Sequence, residues 1–222
     1  MARPKIARKS TIVDMTAMCD VAFLLLSFFI LTTKPKPSEA VPIQTPKSVS
    51  PKFVPDKNIL IISLNNVGHV YISSGDNSSD RAKKQSMLTD INNRYSLGLT
   101  KEEIATLTKQ PFIGVPFAQL KQQAHLPPEQ INSKVLPGIP VLDTTNNQMT
   151  EWISAAVTAY QGGHLDLILK GDNVAKYPVF KNILTALKKN EQFKFQMVTN
   201  QSNVPQGTDL YKKNMSGKKA AL

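Results

Sequence analysis

Two acidic side chains, Asp14 and Asp20, lie in the most apolar stretch of the chain, and the position of Asp20 favours chemistry. Asp20 lies within residues 12–33 and is followed by thirteen residues without a charge. A carboxylate in a membrane span costs roughly 2.5–3.5 kcal/mol on insertion scales, and such residues usually face a polar interior and carry function. We therefore predict that Asp20 is a functional residue buried at an interface between helices.

Two hydroxyl side chains share a helical face with Asp20. Thr16 precedes it by four residues and Ser27 follows it by seven, so in an α-helix the three side chains form one stripe. A polar stripe on an otherwise apolar helix needs partner helices to cover it. The spacing predicts that Thr16, Asp20 and Ser27 form the polar face of a transmembrane helix.

The length of the segment leaves two interpretations open. Residues 12–33 would span about 33 Å as a helix, which is enough to cross a hydrocarbon core of roughly 30 Å. Only residues 21–31 are uninterruptedly apolar, and that length suits the apolar region of a cleaved signal peptide. Residues 38–40, Ser-Glu-Ala, also fit the small-x-small pattern of a cleavage site.

Proline and charge divide the rest of the chain. Residues 1–11 form a short basic tail, and residues 34–57 contain six Pro and no Gly, which predicts an extended, semi-rigid linker. Residues 200–222 are polar and Lys-rich, which predicts a disordered tail. Residues 58–199 hold 14 basic and 11 acidic groups, although the whole chain carries +11. This near balance argues against a nucleic-acid-binding domain.

Periodic apolar residues predict that residues 58–199 form a small α+β domain. A turn-like stretch joins the first two strands into a hairpin, and Pro178 suits the first turn of the last helix. The predicted strands are 59–64, 70–72, 165–169 and 193–199, and the predicted helices are 149–160 and 178–189.

A long, largely helical insertion, residues 74–148, separates the hairpin from the rest of this domain. Met87, Leu88 and Ile91 indicate a short helix, and a capping box at residues 100–103 opens another that runs to about Lys109. A third helix is expected from Phe117 to Ala124.

The remaining residues exclude most kinds of soluble enzyme site. A single cysteine, Cys19, excludes an intramolecular disulfide and a Cys-based zinc site. The histidines are scattered, and the sequence contains neither a phosphate-binding glycine loop nor a nucleophile elbow. Asp143, Asp166 and Asp172 are expected to be surface and turn residues. We therefore expect no metal site, no cofactor and no enzymatic activity.

The residues around Asp20 resemble the membrane signature of the ExbD/TolR family, the small subunit of proton-driven motors in bacterial inner membranes. The similar stretch, residues 14–29, is Asp-Met-Thr-Ala-Met-Cys-Asp-Val-Ala-Phe-Leu-Leu-Leu-Ser-Phe-Phe. Thr16 and Asp20 match the Thr and the single membrane-embedded Asp of the family, and Ala17 stands where the family has Pro. Residues 165–184 are similar to its strand, turn and helix, and the insertion resembles enlarged ExbD-like proteins of Bacteroidota.

This resemblance implies a topology and a set of partners. The N-terminus would be cytoplasmic, residues 12–33 would cross the inner membrane once, and residues 34–222 would be periplasmic. A dimer of such subunits would stand inside a ring of ExbB-like channel subunits. Protonation of Asp20 would drive the motor, which passes mechanical work to a TonB-like protein and so powers outer-membrane import of siderophores, vitamins or glycans.

Two alternatives remain at this stage. The first is a TolR-like subunit whose periplasmic domain binds peptidoglycan and supports outer-membrane integrity. The second is an exported periplasmic binding protein, released when residues 12–33 are cleaved as a signal peptide. An intact, Asp20-containing N-terminus in the mature protein would eliminate the second alternative.

Overall fold

The structure is a computed structural model with two compact units, Met1–Ser38 and Glu39–Leu222. The first unit contains one apolar helix, and the second contains a mixed sheet with helices. This confirms the predicted α+β fold class with a single N-terminal apolar helix. The structure describes residues 15–32, 41–49, 55, 57–127, 130–142, 147–209 and 211–212.

The secondary-structure elements follow one another along the chain in a simple order. The helices are α1 (Met15–Thr32), α2 (Ser78–Tyr95), α3 (Lys101–Lys109), a 3-10 turn (Phe117–Gln119) that continues into α4 (Leu120–Ala124), α5 (Gln148–Ala159) and α6 (Tyr177–Lys189). The strands are β1 (Lys47–Ser48), β2 (Ile59–Leu64), β3 (Val70–Ser74), β4 (Asp166–Gly171), β5 (Gln196–Met197) and β6 (Asn200–Gln201).

Helix α1 is the first unit's described element. Its 18 residues rise about 27 Å. Among the described residues, α1 is the one helix that is long and apolar enough to cross a membrane. None of its side chains is buried. The predicted span was residues 12–33, of which 12–14 and 33 lie outside the described residues.

The four-stranded sheet has the order β3–β2–β4–β5. Strand β2 pairs antiparallel with β3, which confirms the predicted hairpin, and parallel with β4, with Leu64 opposite Gly171. The turn between β2 and β3 is closed by Asn65, whose Oδ1 accepts the N–H groups of Val67, Gly68 and His69. The parallel β2–β4 pair places the loops that follow these two strands at one end of the sheet.

The core of the second unit packs helices against one face of this sheet. Alternate residues of β2 and β4, such as Leu60 and Leu169, lie in the buried cluster with Trp152 of α5 and Ile183 of α6. Each of these side chains is at most 1% exposed. The helical periodicity predicted for α5 and α6 therefore corresponds to the face that they bury.

The insertion adds α2, α3 and α4 and covers the outer edge of β3. Ile113 exchanges both backbone hydrogen bonds with Ile72, at 2.8 and 2.9 Å, so this edge is partly paired. The capping box of α3 is confirmed, because the Thr100 N–H donates to Glu103 and the Glu103 N–H to Thr100. Pairing by the insertion protects the sheet from edge-to-edge association on this side.

Helix α2 is much longer than the short helix predicted around Met87 and Ile91. It begins after Asn77, whose side chain accepts the N–H of Asp80, and runs for 18 residues. Its buried face includes Asp80 and Lys84 beside the apolar residues. Because two charged residues occupy buried positions, the apolar periodicity of the first two turns is hidden in the sequence.

Parts of the predicted extended linker, residues 34–57, and of the predicted disordered tail, residues 200–222, pair with each other in the structure. Strand β1, within residues 34–57, pairs in parallel with β6, within residues 200–222. Val41 and Thr45 are only 8% and 7% exposed. Residues 41–48 therefore lie on the second unit instead of forming a free spacer, because backbone hydrogen bonds to distant residues hold them there.

The last predicted strand is shorter than expected. Only Gln196 and Met197 pair with β4, although the prediction covered residues 193–199. Phe193 is 71% exposed and Met197 is 46% exposed, whereas Phe195 packs partly buried against the core, so the three alternating residues are not all turned inward. Strand β4 runs to Gly171, beyond its predicted end at residue 169.

Candidate functional site

Asp20 lies on the surface of α1, closer to the first residue of the described helix than to its last. The rise of an α-helix places it about 8 Å from the level of Met15 and about 18 Å from the level of Thr32. The side chain is exposed on the isolated helix. A membrane around α1 would therefore place this carboxylate within the apolar layer, with the longer uncharged part of the helix on its C-terminal side.

The regular helix brings the three predicted polar residues onto one face. At about 100° per residue, Thr16, Asp20 and Ser27 fall within an arc of about 40°. Phe23 and Leu24 flank this stripe and are 66% and 59% exposed. The stripe is thus bordered by large apolar side chains, which need lipid or another helix beside them.

The hydroxyl of Ser27 differs from the Asp20 carboxylate in its hydrogen bonding. Its Oγ donates to the backbone oxygens of Phe23 and Leu24, at 2.9 and 3.0 Å. A serine that donates back to its own helix needs no donor or acceptor from a partner. The donor of Ser27 is therefore satisfied within α1, and Asp20 is the charged member of the predicted face.

Of the three carboxylates of the second unit considered in the sequence, the two that the structure describes, Asp166 and Asp172, do not form a site. Asp166 accepts a hydrogen bond from His164 at 3.1 Å, and Asp172 accepts the N–H groups of Gln44 and Val174. The two residues stand at opposite ends of β4, and Asp143 lies outside the described residues. Their positions agree with the surface and turn roles predicted for Asp166 and Asp172.

The histidines are also separated from one another. His69 contacts the Tyr71 hydroxyl at 3.4 Å, and His125 contacts Glu103 at 2.9 Å. Within the described part of the chain, no group of three or more His, Cys, Asp or Glu residues is arranged to hold a metal ion. The structure thus offers α1, with Asp20, as the candidate functional site.

Comparison with protein families identifies a relationship that covers nearly the whole chain. Residues 7–202 match the family described as biopolymer transport protein ExbD/TolR. The chain belongs to the ExbD/TolR family. Comparisons with curated proteins and with solved structures give no match. The matched range includes α1, the insertion and all four strands of the β3–β2–β4–β5 sheet.

Membership places this ExbD/TolR protein in a functional class. The family consists of non-enzymatic components of energy-transducing biopolymer transport, which work with ExbB or TolQ proteins and with TonB or TolA proteins. Together with the single apolar helix, membership indicates a single-pass protein of the inner membrane.

The second unit contains a buried acid that the sequence pattern did not reveal. Asp80 is 0% exposed, and its carboxylate accepts hydrogen bonds from the Asn58 N–H and from the Tyr160 hydroxyl. The Asn77 side chain donates to it at 2.8 Å. Asp80 therefore ties the start of β2 to α2 and α5. The Asn-x-x-Asp spacing of a helix N-terminus was the signal in the sequence.

A buried lysine on the same helix was missed as well. Lys84 is 4% exposed, and its Nζ donates to the backbone oxygen of Gln110, at the C-terminus of α3, at 2.6 Å. Burial lowers the pKa of Lys84 to about 8. A cation at a helix C-terminus is favourable for the helix dipole, so Lys84 joins α2 to α3 and has a structural role.

Proposed function

We propose that this ExbD/TolR protein is the proton-motive-force-driven subunit of an ExbB–ExbD–TonB type motor that powers active transport across the outer membrane. Asp20 carries the proton in this proposal. The observation that supports it is the position of a carboxylate on an otherwise apolar helix, within a family of energy-transducing proteins. Family membership by itself does not separate this role from a TolR-like role.

Asp20 can be a charged carboxylate or a neutral acid, and these two forms favour different surroundings. Moving one elementary charge through 100 mV is worth about 2.3 kcal/mol, which is comparable to the cost of holding a carboxylate among apolar groups. The neutral acid loses that desolvation cost, so α1 can turn Asp20 towards an apolar surface only after protonation. Thr16, one turn away, provides a polar neighbour on the same face.

The proposal includes a topology and an assembly. Residues 1–11 are cytoplasmic, α1 is retained as a membrane anchor, and residues 34–222 are periplasmic. Two copies stand within a ring of ExbB-like subunits and act on a TonB-like protein. The family match begins at residue 7, ahead of α1, which supports retention of the helix over its cleavage as a signal peptide. Protease added to spheroplasts is expected to remove the second unit.

Replacing Asp20 tests the proton-carrying role directly. Asp20→Asn keeps nearly the same volume but cannot exchange a proton, so it should insert and assemble yet support no energised uptake. Asp20→Glu keeps a titratable group at a shifted position and should retain part of the function. Growth on a substrate that requires active outer-membrane import measures uptake, and co-purification of the ring subunit measures assembly.

Two matched variants control for general damage to the helix. Ser27→Ala changes the same face but removes a hydroxyl that donates within α1, and Asp14→Asn removes a carboxylate six residues before Asp20. Both should support normal growth. Normal growth together with an intact envelope in Asp20→Asn would refute the proton-carrying role. Normal growth of that variant with a detergent-sensitive envelope would instead favour the TolR-like alternative.

A further inference from the structure

Four exposed apolar side chains and two lysines occupy loops of the second unit and the first residue of α6. We call this set the loop surface. It consists of Val67, Lys134, Val135, Val174, Lys176 and Tyr177. The apolar members are 61%, 58%, 71% and 70% exposed, in the order Val67, Val135, Val174 and Tyr177. Lys134 and Lys176 are exposed as well.

The sheet topology places these loops at one end of the domain. Val67 follows β2 and Val174 follows β4, and these two strands end side by side, with Leu64 opposite Gly171. The loop of Lys134 reaches the same end, because the Tyr71 hydroxyl, near the start of β3, donates to the Ser133 oxygen at 2.9 Å. An open pocket of about 690 Å³ is lined by residues of all three loops.

The composition of the loop surface suits a boundary between water and lipid. Single exposed valines are ordinary on a protein surface, but here three of them and a tyrosine stand with lysines on adjoining loops. Lysine and tyrosine combine an apolar body with a polar tip and are favoured at membrane interfaces. The nearby carboxylate of Asp172 accepts two backbone N–H groups, which offsets part of its charge.

The chain coming from α1 joins the domain at this same end. Gln44 is hydrogen-bonded to the loop after β4, through its N–H to Asp172 and through its oxygen to the Asn173 N–H. Only residues 33–40 separate α1 from Val41 in the sequence, a tether of at most ~30 Å. The second unit is thus tethered to any membrane that contains α1.

We propose that the loop surface docks on the headgroups of an anionic lipid bilayer, the membrane that α1 crosses. The lysines contact lipid phosphates, and the valines and Tyr177 enter the boundary between headgroups and acyl chains. This inference rests on the membrane anchoring of α1 but not on the proton-carrying role of Asp20. A failed uptake experiment would leave the docking proposal intact, and a failed docking experiment would leave the proton-carrying role of Asp20 intact.

Spin labelling of the full chain in vesicles tests the docking. A nitroxide at Val67→Cys, in a Cys19→Ser background, is compared in phosphatidylcholine vesicles with and without phosphatidylglycerol. In the anionic vesicles the label should become more accessible to oxygen and less accessible to a water-soluble nickel chelate. The control label is placed at Gln161→Cys, in the exposed loop before β4 at the opposite end of the sheet, and should stay accessible to the chelate.

Charge variants separate a lipid partner from a protein partner. Each lysine near an anionic surface changes binding by a factor of ~5, so Lys134→Gln with Lys176→Gln should weaken docking by ~25-fold. Lys188→Gln with Lys194→Gln removes the same charge from exposed positions elsewhere and should have little effect.

Two results would overturn the proposal. The first is equal chelate access at residue 67 in both lipids. The second is a label at residue 67 that is protected from the chelate in neutral vesicles and loses this protection when the protein is diluted in the membrane. That result would identify a second copy of the chain as the partner.

Discussion

Replacing Lys84 is expected to remove a pH-dependent part of the stability of the second unit. Lys84 is 4% exposed, and burial lowers its pKa from 10.5 to about 8. Between these two values the folded protein binds fewer protons than the unfolded chain. The free energy of unfolding therefore rises with pH in this interval. Below about pH 8 the folded protein holds a buried, charged lysine and loses this contribution.

The size of the effect follows from the two pKa values. Linkage gives a gain of ~1–2 kcal/mol between about pH 8 and pH 9.5 from Lys84 alone. Lys84→Met keeps the length of the side chain without a titratable group, so its stability should lack this rise. At neutral pH the two proteins should be similar, because the variant loses both the desolvation cost and the hydrogen bond to Gln110. Above about pH 9 the wild type should be the more stable protein.

Tryptophan fluorescence makes the measurement simple. Trp152 is the sole tryptophan of the chain and is 0% exposed, so urea unfolding of residues 39–222 can be followed through it. Burial raises the pKa of Tyr71 to about 12 and also raises that of Tyr160. Those groups lower stability above about pH 10 in both proteins, so the comparison is made below that pH.

An exposed lysine provides the control for this experiment. Lys181 lies on the exposed side of α6, and Lys181→Met should leave the pH dependence unchanged. A difference in stability between wild type and Lys84→Met that stays constant from pH 7 to about pH 9.5 would refute the assigned burial of the ammonium group.

Three further predictions concern the same unit. Asp80→Asn should lower the free energy of unfolding by on the order of 2–3 kcal/mol, because an amide cannot accept all the hydrogen bonds that the buried carboxylate accepts; urea unfolding measures this, and an unchanged midpoint would contradict it. Gly114→Ala should cost ~1–3 kcal/mol in the same assay, since the new Cβ would overlap the buried ring of Tyr71. Hydrogen exchange should show protected amides at Asn200 and Ser202, which donate to backbone oxygens of residues 46 and 48, whereas fast exchange at both would contradict the pairing of β1 with β6.

Local sequence patterns were sufficient to predict the structure of those segments whose own residues determine it. The apolar run of α1 and the position of Asp20 within it need only helical periodicity and length. The capping box of α3 is formed by Thr100 and Glu103, three residues apart, so the start of that helix was also predictable. The hairpin between β2 and β3 is determined by a turn sequence and two short apolar strands.

The remaining features depend on residues that are distant in the sequence. Asp80 and Lys84 are polar by type, and only the approach of Tyr160 and of the end of α3 makes them buried and satisfied. Residues 41–48 contain prolines that suit an extended spacer, and an extended segment also accepts a parallel partner such as β6. Neither outcome is encoded in a window of neighbouring residues.

The loop surface shows the same division between sequence and structure. Its valines and lysines are unremarkable in the sequence, where residues 67, 134 and 174 belong to three separate loops. The parallel pairing of β2 with β4 brings the ends of these strands together, and the bond from Tyr71 to Ser133 adds the third loop. Asp20 needs only its own helix to be recognised, whereas a surface built from three loops exists only after the sheet has formed.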